Sequence, residues 1–335
     1  MLGLLLAALF LLPPLGEPYV LHVAIVVLIH VVYAEALYVI IRMGYLSFGH
    51  GGYVTLGAYT SALLAMKLAV SPWLGFLAGG VVAALLAWAL GAVTLKLRGI
   101  YFSLSVFAFA EVVNAVFRAF DQLGGPAGIA DVPRPALFGQ KLNTHLAFYY
   151  VVLVVTLVSL VFLYRLQSTR FGFTLLALRT RDTEALAESV GIDAARYKTL
   201  AFVISCFFCG VMGAVHAHYL RFISPFVFTF LFSTDLVIYV MVGGLGSFSG
   251  PIAGTVLLTG LGEQLFAAGY YKSLVYAVVL LAVILALPGG LIELPKLAAR
   301  IGALRRLGLA RAPGAGAAED RDGEAAERST VSTER

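Results

Sequence analysis

The residues that could do chemistry in this sequence are scattered through apolar runs. Glu35 sits in HVVYAEALYVII, Glu111 and Asn114 in FAFAEVVNAVF, Asp235 in FSTDLVIYVMV, and Ser47 and His50 in the glycine-rich LSFGHGGY. Glu263 lies in a later apolar run. A charge at the centre of a bilayer costs about 2.5–3.5 kcal/mol on insertion scales. Each of these groups therefore marks either a buried interhelical hydrogen bond or a point on a path for substrate or protons. Glu111 and Asn114 are three apart and share a helical face. The chemistry of hydrolysis is missing: there is no HExxH, no GxSxG and no acid/base set gathered at one span end. His216 and His218 are two apart and point to different sides of a helix, which makes a poor metal pair. Cys206 and Cys209, the two cysteines, have C-x-x-C spacing without a βαβ context or a second ligand pair, and read as small packing residues. No catalytic residue, metal site or cofactor is expected.

The elements that would position these groups are membrane helices. The chain has 335 residues, 61% hydrophobic and 12% charged, with a mean hydropathy of +0.94. A soluble domain carries about 25% charged residues, so the bilayer is the solvent here. The net charge of +5 reflects basic residues at span ends, and no separate basic domain exists to hold nucleic acid. Spans of about 20 apolar residues are read at about 2–16, 19–41, 46–66, 73–95, 100–119, 146–165, 199–219, 227–244, 251–268 and 272–288. The expected fold is an all-α integral membrane protein of about ten transmembrane helices. The membrane domain is expected to cover 1–311, and a polar tail at 312–335 is too poor in apolar residues to bury a core. The run 2–16 also resembles a signal-peptide core, but it lacks a basic n-region.

One stretch, Arg165 to Lys198, interrupts the apolar pattern. It carries Arg165, Arg170, Arg179, Arg181, Arg196 and Lys198, and a basic loop between spans is expected in the cytoplasm. Arg42, Lys96, Arg98 and the basic residues from Lys296 to Arg311 then fall on the same side, with both termini cytoplasmic. Asp182 or Thr183 can cap a short helix over about Thr183 to Val190, with Glu184 in its first turn and Gly191 as its stop. Asp193 caps the helix that follows. Such a helix is either a solvated connector or a docking surface. In the docking reading Leu186 and Val190 are apolar anchors, Glu184 and Glu188 an acidic rim, and Arg179 and Asp182 flank them. The loop at about 120–145, rich in Gly and Pro, then faces outward.

Two glycine-rich stretches depart from plain spans. Gly44 to Tyr59 holds five glycines, which permit close helix approach or an interrupted helix. In Gly243 to Gly254, Gly246, Gly250 and Gly254 recur every four residues around Pro251, a row suited to tight helix packing or a turn. Neither is a nucleotide loop, since no Walker sequence occurs. If ATP drives this protein, another subunit binds it.

Taken together, several segments resemble the permease subunits of branched-chain amino acid ABC importers, especially the LivM type. They are LSFGHGGYVTLGAYTSALL (46–64), LRGIYFSLSVFAFAEVV (97–113), GGPAGI (124–129), STRFGFTLLALRTRDTEALAESVGIDAARYKTLAFVIS (168–205), GAVHAHYLRFISP (213–225) and VGGLGSFSGPIAG (242–254). The loop shows the family pattern as Arg170, Gly172, Ala177, Arg179, Ala187, Gly191, Ile192, Arg196 and Lys198. The resemblance implies a pore subunit in a bacterial inner membrane. It also implies a second, similar permease, two cytoplasmic ATPases and an external substrate-binding protein. The usual G-x-N-L-L-V-G-Y-A-G-Q run is replaced by EALYVIIRMGY (35–45), with Leu37 in place of Asn and Tyr45 in place of Gln. That departure puts aliphatic amino-acid specificity in doubt and keeps urea or short amides open as cargo. An ion-coupled secondary transporter using Glu35, Glu111 or Asp235 is the alternative from another class.

Overall fold

The computed structural model describes residues 17–264, apart from positions 98, 138, 139 and 143, and isolated positions between 277 and 291. The span read at 2–16, most of that at 272–288 and the tail at 312–335 lie outside the described residues.

Ten α-helices and one 3-10 turn (Asp121–Leu123) are seen within that range. In chain order the α-helices are α1 (Pro18–Arg42), α2 (His50–Lys67), α3 (Pro72–Thr94), α4 (Ile100–Ala119), α5 (His145–Ser168), α6 (Arg170–Ala177), α7 (Arg181–Ser189), α8 (Ala194–Leu220), α9 (Phe230–Gly243) and α10 (Ser249–Gln264). Five of them, α1, α3, α4, α5 and α8, are long and apolar enough to cross a membrane by length and composition. Proline at the first turn of α1 and α3 fits there because that turn has no intrahelical acceptor for its N–H. The connections alternate direction, so α1 ends beside α5 and α8 begins beside α3, at the end of the bundle that carries 165–198. This is called the basic end below.

Two helices are central. α1 and α8 are mostly buried inside the protein, whereas α3, α4 and α5 bury one side only. α8 packs on α2 and α3, and α1 packs on α5, α8 and α10. Glycines permit the closest approaches. A Cβ at Gly57 of α2 would fall on the Gly210 backbone of α8, and one at Gly213 of α8 on the Val54 backbone of α2. Gly52 likewise meets Ala110 of α4. From His50 on, the glycine-rich stretch is therefore a continuous helix used for close packing, while Gly44 and Gly49 lie in the connection before it. It is not interrupted, and it starts at His50 where the sequence pattern placed a span from 46.

The described chain is mostly helical, as expected, and at the far end it adds two short strand pairs. β1 (Ile129–Ala130) pairs antiparallel with β4 (Phe222–Ile223), and β2 (Ala136–Leu137) with β3 (Gln140–Lys141). These pairs are two residues long, too short for any period-two pattern to announce them. They pin the 120–144 loop over the helix ends. The His218 Nδ1–H donates to the Pro133 carbonyl, the Trp73 indole to Ala136, and Lys67 to Gln122. Arg221 pairs with Asp131 at 3.0 Å.

Candidate functional site

The loop between α5 and α8 folds into two helices where the sequence suggested one. α6 was missed because its apolar residues read as a continuation of the preceding span. α7 starts two residues earlier than expected and takes its cap from a different residue. Thr180 Oγ1 accepts from the Thr183 N–H, while the Thr183 hydroxyl accepts from the Thr180 N–H in return. This reciprocal box displaces Asp182 and Thr183 as caps. Asp182 and Glu184 both lie in the first turn, where negative charge suits the helix dipole. Gly191 has φ of +88°, which turns the chain after the helix at no Cβ cost. Asp193 caps α8 through the Arg196 N–H at 3.0 Å.

α7 has two unlike faces. Leu186 and Val190 are 68% and 72% exposed; Glu188 and Asp182 are exposed with them. Ala187 points the other way, into a small cluster with Leu178 and Ala194 that is separate from the main core. Glu184 also points inward, which corrects its assignment to an acidic rim. Its carboxylate accepts from Lys198 Nζ at 2.6 Å, with the two side chains only 11% and 4% exposed. Lys198 also donates to the Tyr45 hydroxyl at 3.2 Å and lies 5.2 Å over the Tyr45 ring. Tyr45 in turn donates to the Leu95 carbonyl at 3.2 Å and packs edge-on against Phe102. Sequence reasoning singled out Tyr45 only as a departure from the family pattern. Its structural partners lie 50 and 153 residues away, beyond any local signal. Glu184 and Lys198 together form the wall between two clefts of about 610 and 510 Å³, one beside Trp88 and Lys96, the other beside Gly44 and Arg179.

Arg179 itself is exposed and lines a smaller cleft of about 100 Å³ with Arg42 and Tyr38. Arg42 donates to Gln167 Oε1 at 3.1 Å. Glu35, two turns earlier on α1, is fully buried, and the Gln167 amide and Arg42 are its polar neighbours. Neither carboxylate oxygen of Glu35 makes a hydrogen bond, and the Gln167 Nε2 is also unbonded.

The remaining intramembrane groups are distributed rather than gathered. His50 is enclosed and bonded at both ring nitrogens, to Ser47 Oγ at 2.8 Å and Ser205 Oγ at 2.9 Å. Because Ser205 donates its own proton to the Ala36 carbonyl at 2.6 Å, it must accept from His50 Nε2–H. Nδ1 then accepts from Ser47, which fixes the neutral tautomer. Asn114 is buried against Thr55 and the Phe228 carbonyl, so it ties α4 to α2. Glu111 does not share that environment: it is 37% exposed and faces Arg118 at 3.8 Å. Asp235 is half-buried on α9. His216 and His218 face different helices, His216 meeting His30 and Phe228 and His218 meeting Ser61. Among the described residues no group of three or more His, Cys, Asp or Glu could hold a metal ion. Cys206 and Cys209 are buried and unbridged.

In the glycine row, Gly250 and Gly254 pack where the sequence suggested and Gly246 does not. A Cβ at Gly250 would meet the Gly244 carbonyl and one at Gly254 the Tyr239 carbonyl, whereas nothing lies within 4 Å of Gly246. The row joins α9 to α10 within this chain, and Gly246 belongs to the turn between them.

The family model described as branched-chain amino acid transport system / permease component matches residues 19–287. The high-affinity branched-chain amino acid transport system permease protein LivM of Salmonella typhimurium is 29% identical over 299 residues, covering 82% of this chain and 70% of that protein. LivM of Escherichia coli K12 is 29% identical over 310 residues, 84% of this chain and 72% of its own length. LivH of Escherichia coli K12 is 24% identical over 277 residues, covering 76% and 87%. No solved structure matches significantly. A long apolar bundle with a short helix carried at its basic end, together with a family match over most of the length, establishes that the chain belongs to the permease components of branched-chain amino acid transport systems.

Proposed function

We propose that this chain is one of two permease subunits in an ATP-driven importer of branched-chain or other small amino acids. Substrate arrives from an external binding protein, and two cytoplasmic ATPases supply the energy. The relatives' names support the substrate class. The full chain crosses the inner membrane about ten times with both termini in the cytoplasm. Its membrane domain runs to about residue 311, and a polar tail follows. The basic end is then cytoplasmic, which agrees with Arg42, Lys96, Arg165, Arg170, Arg196 and Lys198 lying together there.

One observation carries the reading. α7 is a capped helix that holds Leu186 and Val190 in solvent at 68% and 72% exposure. Among the described residues nothing covers these two apolar side chains, and a groove on an ATPase would cover them as a helix-in-groove contact. Arg179, Asp182 and Glu188 surround that contact, and Gly191 lets the helix return sharply to α8. The substrate path is proposed to run past Glu111 and Asp235, which are only half-buried. Ser47, His50 and Asn114 hold the helices behind it, with Glu35 buried beside Gln167 and Arg42.

Leu186→Asp tests the docking. A buried leucine contributes about 1.5–3 kcal/mol, so this variant should stay in the membrane at wild-type level yet bind the ATPase at least tenfold more weakly. Wild-type binding and wild-type substrate-stimulated hydrolysis would place the docking surface elsewhere.

A further inference from the structure

The way α7 is attached to the bundle carries a consequence for how motion travels. Its apolar attachment is small: Leu178, Ala187 and Ala194 form a cluster outside the main core. Its polar attachment reaches much further. Glu184 holds Lys198 at 2.6 Å, and Lys198 holds Tyr45 at 3.2 Å. Tyr45 lies in the connection between α1 and α2, bonds the Leu95 carbonyl at the end of α3, and packs on Phe102 of α4. Three helix ends thus meet at one phenol ring. The residue before it, Gly44, has φ of +86°, and a Cβ there would meet the Arg179 carbonyl. The α1–α2 connection thus touches both the backbone that leads into α7 and the Glu184–Lys198 pair, around one shared cleft. From this connection the chain passes directly into His50 and the tightly packed α2.

We propose that Glu184, Lys198 and Tyr45 are positioning residues that transmit displacement of α7 to the α1–α2 connection, and through it to α2. This rests on the reading of α7 as the ATPase-docking helix. The ion pair is nearly sealed from solvent and bridges two clefts, so a push on α7 cannot be absorbed by rearranging exposed side chains. Docking and transmission are then separate properties of one helix: Leu186 and Val190 serve the first on the outer face, Glu184 the second on the inner face. Variants of the inner face should leave partner binding intact and lose the conversion of hydrolysis into transport.

The test uses the whole transporter, reconstituted in liposomes with its binding protein and radiolabelled leucine as the probe. The double variant Glu184→Ala/Lys198→Ala removes both charges of the pair at once. It should retain ATPase subunits and ATP hydrolysis within twofold of wild type, while leucine transported per ATP falls at least fivefold. Tyr45→Phe, which keeps the ring and drops the hydroxyl links, should fall between the two. Glu184→Gln, which can still bond Lys198 but no longer neutralises it, should transport more leucine per ATP than the double variant. A wild-type ratio in the double variant would overturn the proposal. So would loss of bound ATPase in proportion to lost transport, since that marks a merely structural role. Absence of ATP-dependent leucine uptake by the unaltered complex would instead count against the proposed function, independently of this link.

Discussion

His50 shows what most intramembrane polar residues do in this protein. One of its bonds connects the start of α2 to Ser205 on α8, and through Ser205 to α1, while the other holds Ser47 in the connection just before α2. His50→Ala would remove both bonds and leave a cavity, at a cost of about 2–4 kcal/mol. The thermal midpoint of the detergent-solubilised protein should fall accordingly, and an unchanged midpoint would show that the bonds are dispensable. Glu35 is the opposite case, buried with two unbonded oxygens beside an unbonded amide on Gln167. Glu35→Gln offers that amide a neutral partner with both donor and acceptor. The variant is expected to be as stable as the wild type or more stable by about 1 kcal/mol; a clear loss of stability would mean the carboxylate is bonded in the native membrane. The sequence located both residues, because charge and histidine stand out in apolar runs. It could not assign their partners, which come from helices far away in the chain. Glu184 is the sharpest instance: by its spacing with Glu188 it belongs on an exposed rim, yet Lys198, fourteen residues on, draws it inside.

At the scale of elements, glycine is informative only where a neighbouring backbone comes close. Gly57 and Gly254 each have backbone atoms where a Cβ would go, and backbone cannot be moved aside like a flexible side chain. Gly57→Ala and Gly254→Ala should each reduce folded yield through overpacking of about 1–3 kcal/mol. Gly246→Ala, with nothing within 4 Å, should lie within about 0.5 kcal/mol of wild type. Equal yields for all three, measured by size-exclusion of the solubilised protein, would show that the close approaches relax freely. Helix positions were largely legible, since long apolar runs with prolines and basic residues at their ends leave little choice. The four-residue glycine repeat was legible as a pattern, but not which of its members lies in the turn. α6 and the short strand pairs were not legible: one merges with a span in composition, and the others are set by contacts such as Ile129 with Ile223 across almost a hundred residues.

For the whole molecule, orientation is the first property to establish. The 120–144 loop lies at the end opposite 165–198, so a cysteine there should react with an impermeant thiol reagent in intact cells. Ala127 is the suitable position because it is exposed, whereas Gly128 has φ of +78° and backbone atoms of Ile223 where its side chain would go. Cys206 and Cys209 are buried and should stay silent. Labelling of Ala127→Cys only after the membrane is opened would invert the arrangement.

The central claim is that this chain moves amino acids only as part of an ATP-driven assembly. It is tested most directly by leucine uptake into proteoliposomes holding this permease, its partner permease, the ATPases and the binding protein. The account predicts accumulation that requires ATP and the binding protein, vanishes when the ATPases are left out, and is indifferent to imposed proton or sodium gradients. Accumulation by the permease alone under an ion gradient, without ATP, would contradict it.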